Sequence, residues 1–503
     1  MGVFSAFIEN LPRPPPKSSR ESTDVIAIFR SLTFMQYMLF FSGWLAWTVD
    51  AIDFFSVSLS IHSLSVYYGK PLKTLTTSLT LTLLFRPLGA VIFGLLSDRY
   101  GRRWPLILDL LICGALSLST AYCKTFGAYL AVRSLFGIAM GGIWGLAAAL
   151  GLENMPVEAR GMFSGILQQG YAVGYLLAAV INLTLVPKYH NNYRILFYFA
   201  AAVSAFAAII RACLPESAYF VKRREAEKAS GNVISSAEKS KIFIKEAGRA
   251  LKLHWVRCIF ALCLMTGFNF FSHGSQDIYP SYLQDSKGLN AHQATIATII
   301  GNCGAIAGGT IAGYVSQFLG RRLTIIICCL WTCAFIPLWL IPKSFSGLAA
   351  GAFMVQMGVQ GLSELSPVAF RAVWPGVAYQ LGNMVSSASA QIEATAGANL
   401  KTASGKPAYG KVGAILIGVV AAWIIGCCLL GREQLGLHFE KGKAAFEKGG
   451  GRDEIEELDE GAMDPHAHYD VEKGAEHNKL GQPLHRESAS MTDEKASNIS
   501  SAY

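Results

Sequence analysis

Between residues 269 and 281 an apolar stretch is interrupted by Asn269, Ser272, His273, Ser275, Gln276, Asp277 and Ser281. At about 100° per residue, Asn269, His273 and Asp277 advance by only about 40° at each step, with Ser272 and Gln276 beside them. A helix here therefore has one polar face. Polar groups inside an apolar span are costly and usually face a cavity or a partner. Packing alone does not put Asn, His, Gln and Asp on one stripe. The chemistry open to such a face is hydrogen bonding to a polar solute and exchange of a proton between His273 and Asp277, whose proton affinities respond to their surroundings. His273 is also the one histidine of ten that falls inside an apolar block rather than at a block end, in a joint or in the tail. Further polar groups inside apolar blocks are Asp50 and Asp53, at i,i+3 and hence on one helical face, together with Arg86, Asp109, Arg133, Gln380 and Glu393.

The elements that must position these groups are membrane spans. Of 503 residues, 52% are apolar and 15% are charged, the latter roughly ten points below an ordinary soluble chain. A disordered chain, a collagen-like one and a disulfide-stapled mini-protein are excluded. A helix needs about 20 apolar residues to cross the hydrocarbon core, and twelve such blocks occur: about 35–61, 73–96, 104–123, 127–150, 160–186, 193–214, 254–284, 292–318, 323–341, 346–370, 374–398 and 408–431. The long unbroken runs argue against a β-barrel. Small residues, as in Gly137-Ile-Ala-Met-Gly141-Gly142, let such helices approach closely.

Charge divides the chain. Residues 1–431 hold 34 Lys/Arg against 18 Asp/Glu, and residues 432–503 hold 9 against 16. The expected organisation is an N-terminal segment 1–34 without a cleavable signal, a six-helix bundle 35–214, a central loop 215–253, a second six-helix bundle 254–431 and a disordered acidic tail 432–503. With the N-terminus inside, the inner segments before the tail carry 20 Lys/Arg and the outer loops ten, which favours cytoplasmic termini. The eleven cysteines lie in spans or at their ends without metal-type pairs; neither a disulfide nor a metal site is expected.

Two signals recur in the two halves. Gly94-Leu-Leu-Ser-Asp98-Arg-Tyr-Gly101-Arg102-Arg103 is matched 219 residues later by Gly313-Tyr-Val-Ser-Gln317-Phe-Leu-Gly320-Arg321-Arg322. Glu153-Asn-Met-Pro156-Val-Glu-Ala-Arg160 is matched 211 residues later by Glu364-Leu-Ser-Pro367-Val-Ala-Phe-Arg371. Two matches at equivalent joints indicate duplication, and a pseudo-two-fold transporter with its site between the halves. The first string resembles the GxxxDRxGRR loop of the major facilitator superfamily. Arg133-Ser-Leu-Phe-Gly137 is similar to its RxxxG motif, and Pro215-Glu216-Ser217 to the PES that follows its sixth span. The resemblance covers about 30–431. It implies an all-α integral membrane protein of twelve transmembrane helices in two pseudo-symmetric six-helix bundles, with Gly94, Asp98, Arg99, Gly101, Arg102 and Arg103 forming a gating loop that links the halves in the outward-open state. Gln317 in place of the aspartate implies a weaker second latch.

The string Asn269 to Ser281 further resembles the N-x-x-S/T-H-x-S/T-Q-D-x-x-x-T signature of the fungal Jen-type lactate/pyruvate:proton symporters, with Ser281 in place of the final threonine. Tyr379-Gln380-Leu-Gly382-Asn383 looks like that family's substrate-path segment. The resemblance implies proton-coupled import of short monocarboxylates (lactate, pyruvate, acetate) across the plasma membrane by alternating access, with a dicarboxylate or other organic-anion symporter, or a non-transporting carboxylate receptor, as alternatives. A carboxylate needs positive charge and hydrogen-bond donors, and the residues expected to bind it are Asn269, Ser272, His273, Gln276, Arg133 and Gln380. Arg133 is equally open to a structural pairing with an acid, and Arg86, just before Pro87, reads as structural. Asp277 and His273, then Asp50 and Asp53, are the expected proton carriers. The run Phe268, Phe270, Phe271 reads as packing or lipid-facing, with a selectivity filter as the alternative. No phosphate loop, nucleophile elbow or metal constellation suggests an enzyme, and neither a cofactor nor a nucleic-acid partner is expected. The tail, with Lys441, Lys443 and Lys448 beside the last span, is expected to meet ubiquitin-ligase or arrestin-type adaptors, the alternative being an inert solvated tail.

Overall fold

The computed structural model describes residues 11–14, 25–190, 192–217, 255–363, 373–402 and 405–431, with isolated positions between 220 and 252. The tail 432–503, the second loop copy at 364–371 and most of the central loop lie outside the described residues. After a short α1 (Val25–Ser31), the first half consists of α2 (Phe34–Tyr68), α3 (Leu72–Leu84), α4 (Arg86–Tyr100), α5 (Arg103–Tyr122), α6 (Phe126–Glu153), α7 (Val157–Lys188) and α8 (Arg194–Cys213). The second half has α9 (Trp255–Gln276), α10 (Tyr279–Ser281) running into a π-helical turn (Tyr282–Ser286), then α11 (Ala291–Leu319), α12 (Arg321–Leu340), α13 (Phe345–Ser363), α14 (Val373–Ser386), α15 (Ser389–Asn399) and α16 (Tyr409–Leu430).

Taking α3–α4, α9–α10 with its π turn, and α14–α15 as one span each, these helices make twelve spans at the positions expected. Ten are long and apolar enough to cross a bilayer on length and composition alone. The remaining two are α13, described only as far as Ser363, and the interrupted α14–α15.

The sequence did not forecast three interruptions, and each has a local cause. Span two breaks at Phe85–Arg86, ahead of Pro87, whose ring displaces the preceding turn and removes a donor. Span seven breaks after Gln276, ahead of Pro280, for the same reason. Span eleven breaks at Ser387–Ala388, where the Ser386 and Ser387 hydroxyls donate to the carbonyls of Asn383 (3.1 Å) and Met384 (2.7 Å) and compete with the helical ladder. Interrupted helices in transporters gather at the binding site, because their freed backbone groups are available there.

The duplication persists in the backbone. Gly101 and Gly320 end α4 and α11 with φ of 92° and 81°, a region that favours glycine. Their amides donate back to Ser97 O and Ser316 O at 3.0 and 2.9 Å. Gly89 and Gly308, again 219 residues apart, mark close helix crossings. A Cβ on Gly89 would lie 1.6 Å from Ile138 O, and one on Gly308 1.9 Å from Met357 O. Gly89→Val is therefore expected to destabilise the protein by about 3 kcal/mol or more through overpacking against rigid backbone, read as a lower melting temperature in detergent.

Candidate functional site

A small cavity lies at the contact of the two halves, lined by Gln168 and Tyr171 of α7, Phe268, Asn269, Ser272 and His273 of α9, Gln360 of α13 and Tyr379 of α14. Its volume is about 10 Å³ for the centre of a water-sized sphere, the room for roughly one water. Loading a larger solute requires the halves to part. None of the lining residues is Lys or Arg, so His273 is the one that can carry positive charge.

His273 is buried between two acceptors. Its Nδ1 lies 3.0 Å from Asp277 Oδ1 and its Nε2 lies 3.1 Å from Asn383 Oδ1. Asn383 Nδ2 donates to Gln380 Oε1 at 2.8 Å, and Gln380 Nε2 donates to the backbone carbonyl of Gly141 on α6 at 3.3 Å. Gln276 points elsewhere, donating to Gln356 Oε1 at 2.7 Å. Phe54 of α2 sits edge-on to the His273 ring at 5.6 Å. On the cavity wall, Asn269 Nδ2 donates to Met265 O at 3.0 Å, and Trp144 Nε1 donates to Gln168 Oε1 at 3.2 Å.

The charged residues of the first half form their own network. Arg86 pairs with Asp50 at 3.0 Å and Arg133 with Asp53 at 2.6 Å. All four side chains are almost wholly buried, and one oxygen of each acid has no hydrogen-bond partner. Two buried acids stand apart from any basic group in the contacts described: Asp109, whose Oδ1 meets the Cys113 thiol at 4.0 Å, and Glu393 of α15, whose Oε1 would lie 3.2 Å from a Cβ on Gly274.

At the end of the bundle away from the 101–103 loop, the halves are joined by hydroxyl-to-carbonyl bonds made at the two breaks in the second half. The Ser58 hydroxyl of α2 donates to Asp277 O, and the Tyr175 hydroxyl of α7 donates to Gln276 O at 3.4 Å. Thr80 of α3 donates to Ser387 O at 2.9 Å, and Thr76 to Gln391 Oε1 at 2.7 Å. At the opposite end, Arg102 pairs with Glu153 at 2.8 Å. The backbone amides of Arg102 and Arg103 donate to Glu216 at 2.9 and 3.0 Å, and the Arg103 guanidinium donates to Ala212 O. These bonds tie the loop to its own half. Arg99 lies over the ring of Tyr100 at 4.7 Å, Gly94 O accepts from Ser97 at 2.9 Å, and the side chain of Asp98 lies outside the described residues.

A twelve-span duplicated bundle with a cavity lined by both halves is a transporter's geometry. The family described as "Sugar (and other) transporter" matches residues 23–446. The chain belongs to that family. A carboxylic acid transporter protein homolog of Saccharomyces cerevisiae is 34% identical over 438 residues, covering 83% of this chain and 71% of the relative. A cis,cis-muconate transport protein of Acinetobacter baylyi is 26% identical over 356 residues, covering 69% and 84%. Among solved structures, a partially occluded inward-open form of the xylose transporter XylE of E. coli superimposes with a TM-score of 0.61 at 16% identity, over 81% of this chain and 100% of that one. The XylE likeness shows the major facilitator fold. The Sugar (and other) transporter family moves solutes rather than transforming them, and this chain is a multi-pass membrane transporter, not an enzyme.

Within this family member, the residues expected from sequence divide cleanly. Asn269, Ser272 and His273 line the cavity. Asp277 and Gln380 stand behind it through His273 and Asn383, and Gln276 is turned toward Gln356. Arg133 pairs with Asp53 and lies outside the cavity lining. Phe268 and Phe271 are buried rather than lipid-facing, and Phe268 forms cavity wall. Sequence reasoning did not single out Gln168, Tyr171 and Gln360 of the lining, or Gln356 behind it. The three glutamines are amides inside apolar spans, the same signal that singled out Asn269 and Gln276.

Proposed function

We propose that this transporter is a proton-coupled symporter of short monocarboxylates, lactate and pyruvate foremost, of the Jen type, working at the plasma membrane with both termini cytoplasmic. The observation that carries the reading is the cavity's chemistry: one residue able to be cationic, His273, backed by Asp277 and flanked by the donors Asn269 and Ser272. A carboxylate entering this cavity finds charge only when His273 holds a proton, so anion and proton load together as a neutral pair. One cationic group suits one carboxylate, which favours monocarboxylates over dicarboxylates. The match of residues 269–281 to the Jen-type signature and the similarity to a carboxylic acid transporter homolog support the same class. The arginine loop at residues 99–103 sits on the cytoplasmic side in this reading, and the Ser58, Tyr175, Thr76 and Thr80 bonds seal the outer side. Opening that seal admits substrate, and rocking of the halves releases it inward, where higher pH draws off the proton.

The test is uptake of labelled lactate, pyruvate and succinate by cells lacking carboxylate transport, at external pH of about 5 and about 7. Lactate and pyruvate uptake is expected to rise on acidification. Uptake indifferent to pH overturns proton symport, succinate preference overturns the monocarboxylate assignment, and binding without accumulation indicates a receptor.

A further inference from the structure

We propose that Gln380 and Asn383 form an amide relay that makes the proton on the His273–Asp277 pair depend on contact between the two halves. The inference rests on the symport reading and deepens it. Its basis is the polarity of one hydrogen-bond chain. The chain starts at the backbone carbonyl of Gly141, in the first half, which can only accept. The Gln380 atom 3.3 Å away must then be its NH₂, which turns Oε1 toward Asn383. The Asn383 atom 2.8 Å from that oxygen must be its NH₂, which turns Oδ1 toward His273. Nε2 of His273, 3.1 Å from that oxygen, must carry a hydrogen. On the other edge of the ring Nδ1 faces Asp277 Oδ1 at 3.0 Å, which requires a proton between them on one atom or the other. The chain therefore fixes two protons on the pair, as imidazolium with carboxylate or as imidazole with carboxylic acid. Both carry one proton more than neutral histidine beside aspartate.

Gly141 belongs to α6 and the other members to α9 and α14, so the chain crosses between the halves. When the halves open inward and α14 leaves α6, Gln380 loses the acceptor that set its orientation. Both amides are then free to reverse, and Asn383 Nδ2 can face Nε2. A donor there requires Nε2 to accept: its N–H bond breaks, the proton passes to water on the side that has opened, and neutral histidine remains beside aspartate. Reversal while the halves are joined would set donor against donor or acceptor against acceptor, at a cost of about 1–3 kcal/mol for each buried group left unsatisfied. The titratable groups that face the pair are Glu393 on α15, Tyr171 and Tyr175 on α7 and Tyr379 on α14. On the turn between His273 and Asp277, Ser275 O accepts from Gln356 of α13 and Gly274 faces Leu416 of α16, neither of which titrates. Asn383 is thus a positioning residue for the proton, distinct from a substrate contact.

The test reads the midpoint of the pH dependence of lactate uptake separately from KM at saturating acidity. Asn383→Leu removes the acceptor at Nε2 and is expected to move the midpoint about one unit toward acid. Gln380→Met, which cuts the anchor to Gly141, is expected to shift it the same way. Asn383→Asp keeps an oxygen at Nε2 and adds negative charge, and is expected to move the midpoint toward alkaline pH. Opposite shifts from Leu and Asp at one position are not produced by loss of packing. Where a variant transports too little, the midpoint is read in purified protein from the lactate-induced change in tryptophan fluorescence, since Trp144 stacks on Tyr379 at 4.7 Å. A raised KM with unmoved midpoints, or Leu and Asp shifts of the same sign, overturns the relay. A wild-type protein whose uptake ignores pH overturns the symport reading itself, a result independent of the variants.

Discussion

His273→Ala is expected to lower the rate of lactate uptake at low substrate about 100-fold, with the protein still at the cell surface. The imidazole is the one lining side chain able to offer positive charge to an anion, and hydrogen bonds to charged groups contribute about 1.5–3 kcal/mol, which is roughly 10- to 150-fold in rate or affinity. Truncation also strands Asp277 Oδ1 and Asn383 Oδ1, each of which faces the ring within about 3 Å. Ser272→Ala removes one neutral hydroxyl from the same wall and is expected to cost only about fivefold, near 1 kcal/mol. Initial rates against concentration, normalised to surface-labelled protein, compare the two variants. His273→Ala within twofold of wild type, at equal surface density, would falsify the assignment of the cavity.

The second large effect concerns stability. Arg133→Met is expected to destabilise the protein by about 3–5 kcal/mol, because Asp53 is then left as a buried charge without its partner. The double replacement Asp53→Asn with Arg133→Met is expected to recover most of that loss, since the cost comes from the uncompensated charge more than from the pair. Thermal melting in detergent measures both. Full recovery of folding with uptake still absent would assign the pair a part in the transport cycle beyond holding α2 to α6. A double variant no more stable than Arg133→Met would show that the guanidinium acts through packing, where it lies 4.2 Å above the ring of Phe136.

The twelve spans were legible because apolar length alone defines a crossing helix, and the ends that fall on described residues lie within a few residues of the expected ones, apart from α2, which continues to Tyr68; the expected end of span ten, at 370, lies outside the described residues. The duplication was legible in paired loops, and Gly101 and Gly320 keep the same backbone conformation. What composition could not convey is where a span breaks. Pro87 and Pro280 were visible as residues, but proline within a span only kinks it unless neighbours supply the freed bonds, and those neighbours, such as Ser58, lie on another helix. The polar face of α9 was legible from its period. Its division was not: His273 and Asn269 meet the cavity while Gln276, on the flank, turns to Gln356. Arg133 illustrates the limit. A buried arginine in a span announces a partner, and whether that partner is a solute or Asp53 depends on the distance between two helices.

The broken seventh span also bears on how the protein is made. Its second segment, from Tyr279 through the π turn, begins beside two carbonyls, those of Gln276 and Asp277, whose hydrogen bonds come from Tyr175 and Ser58 of the other half. During synthesis the first six helices emerge earlier, with these hydroxyls in place before the seventh span arrives. In lipid there is no water to satisfy those carbonyls, so the seventh span is expected to complete its hydrogen bonding only against a first bundle already made, and order of assembly to follow order of synthesis.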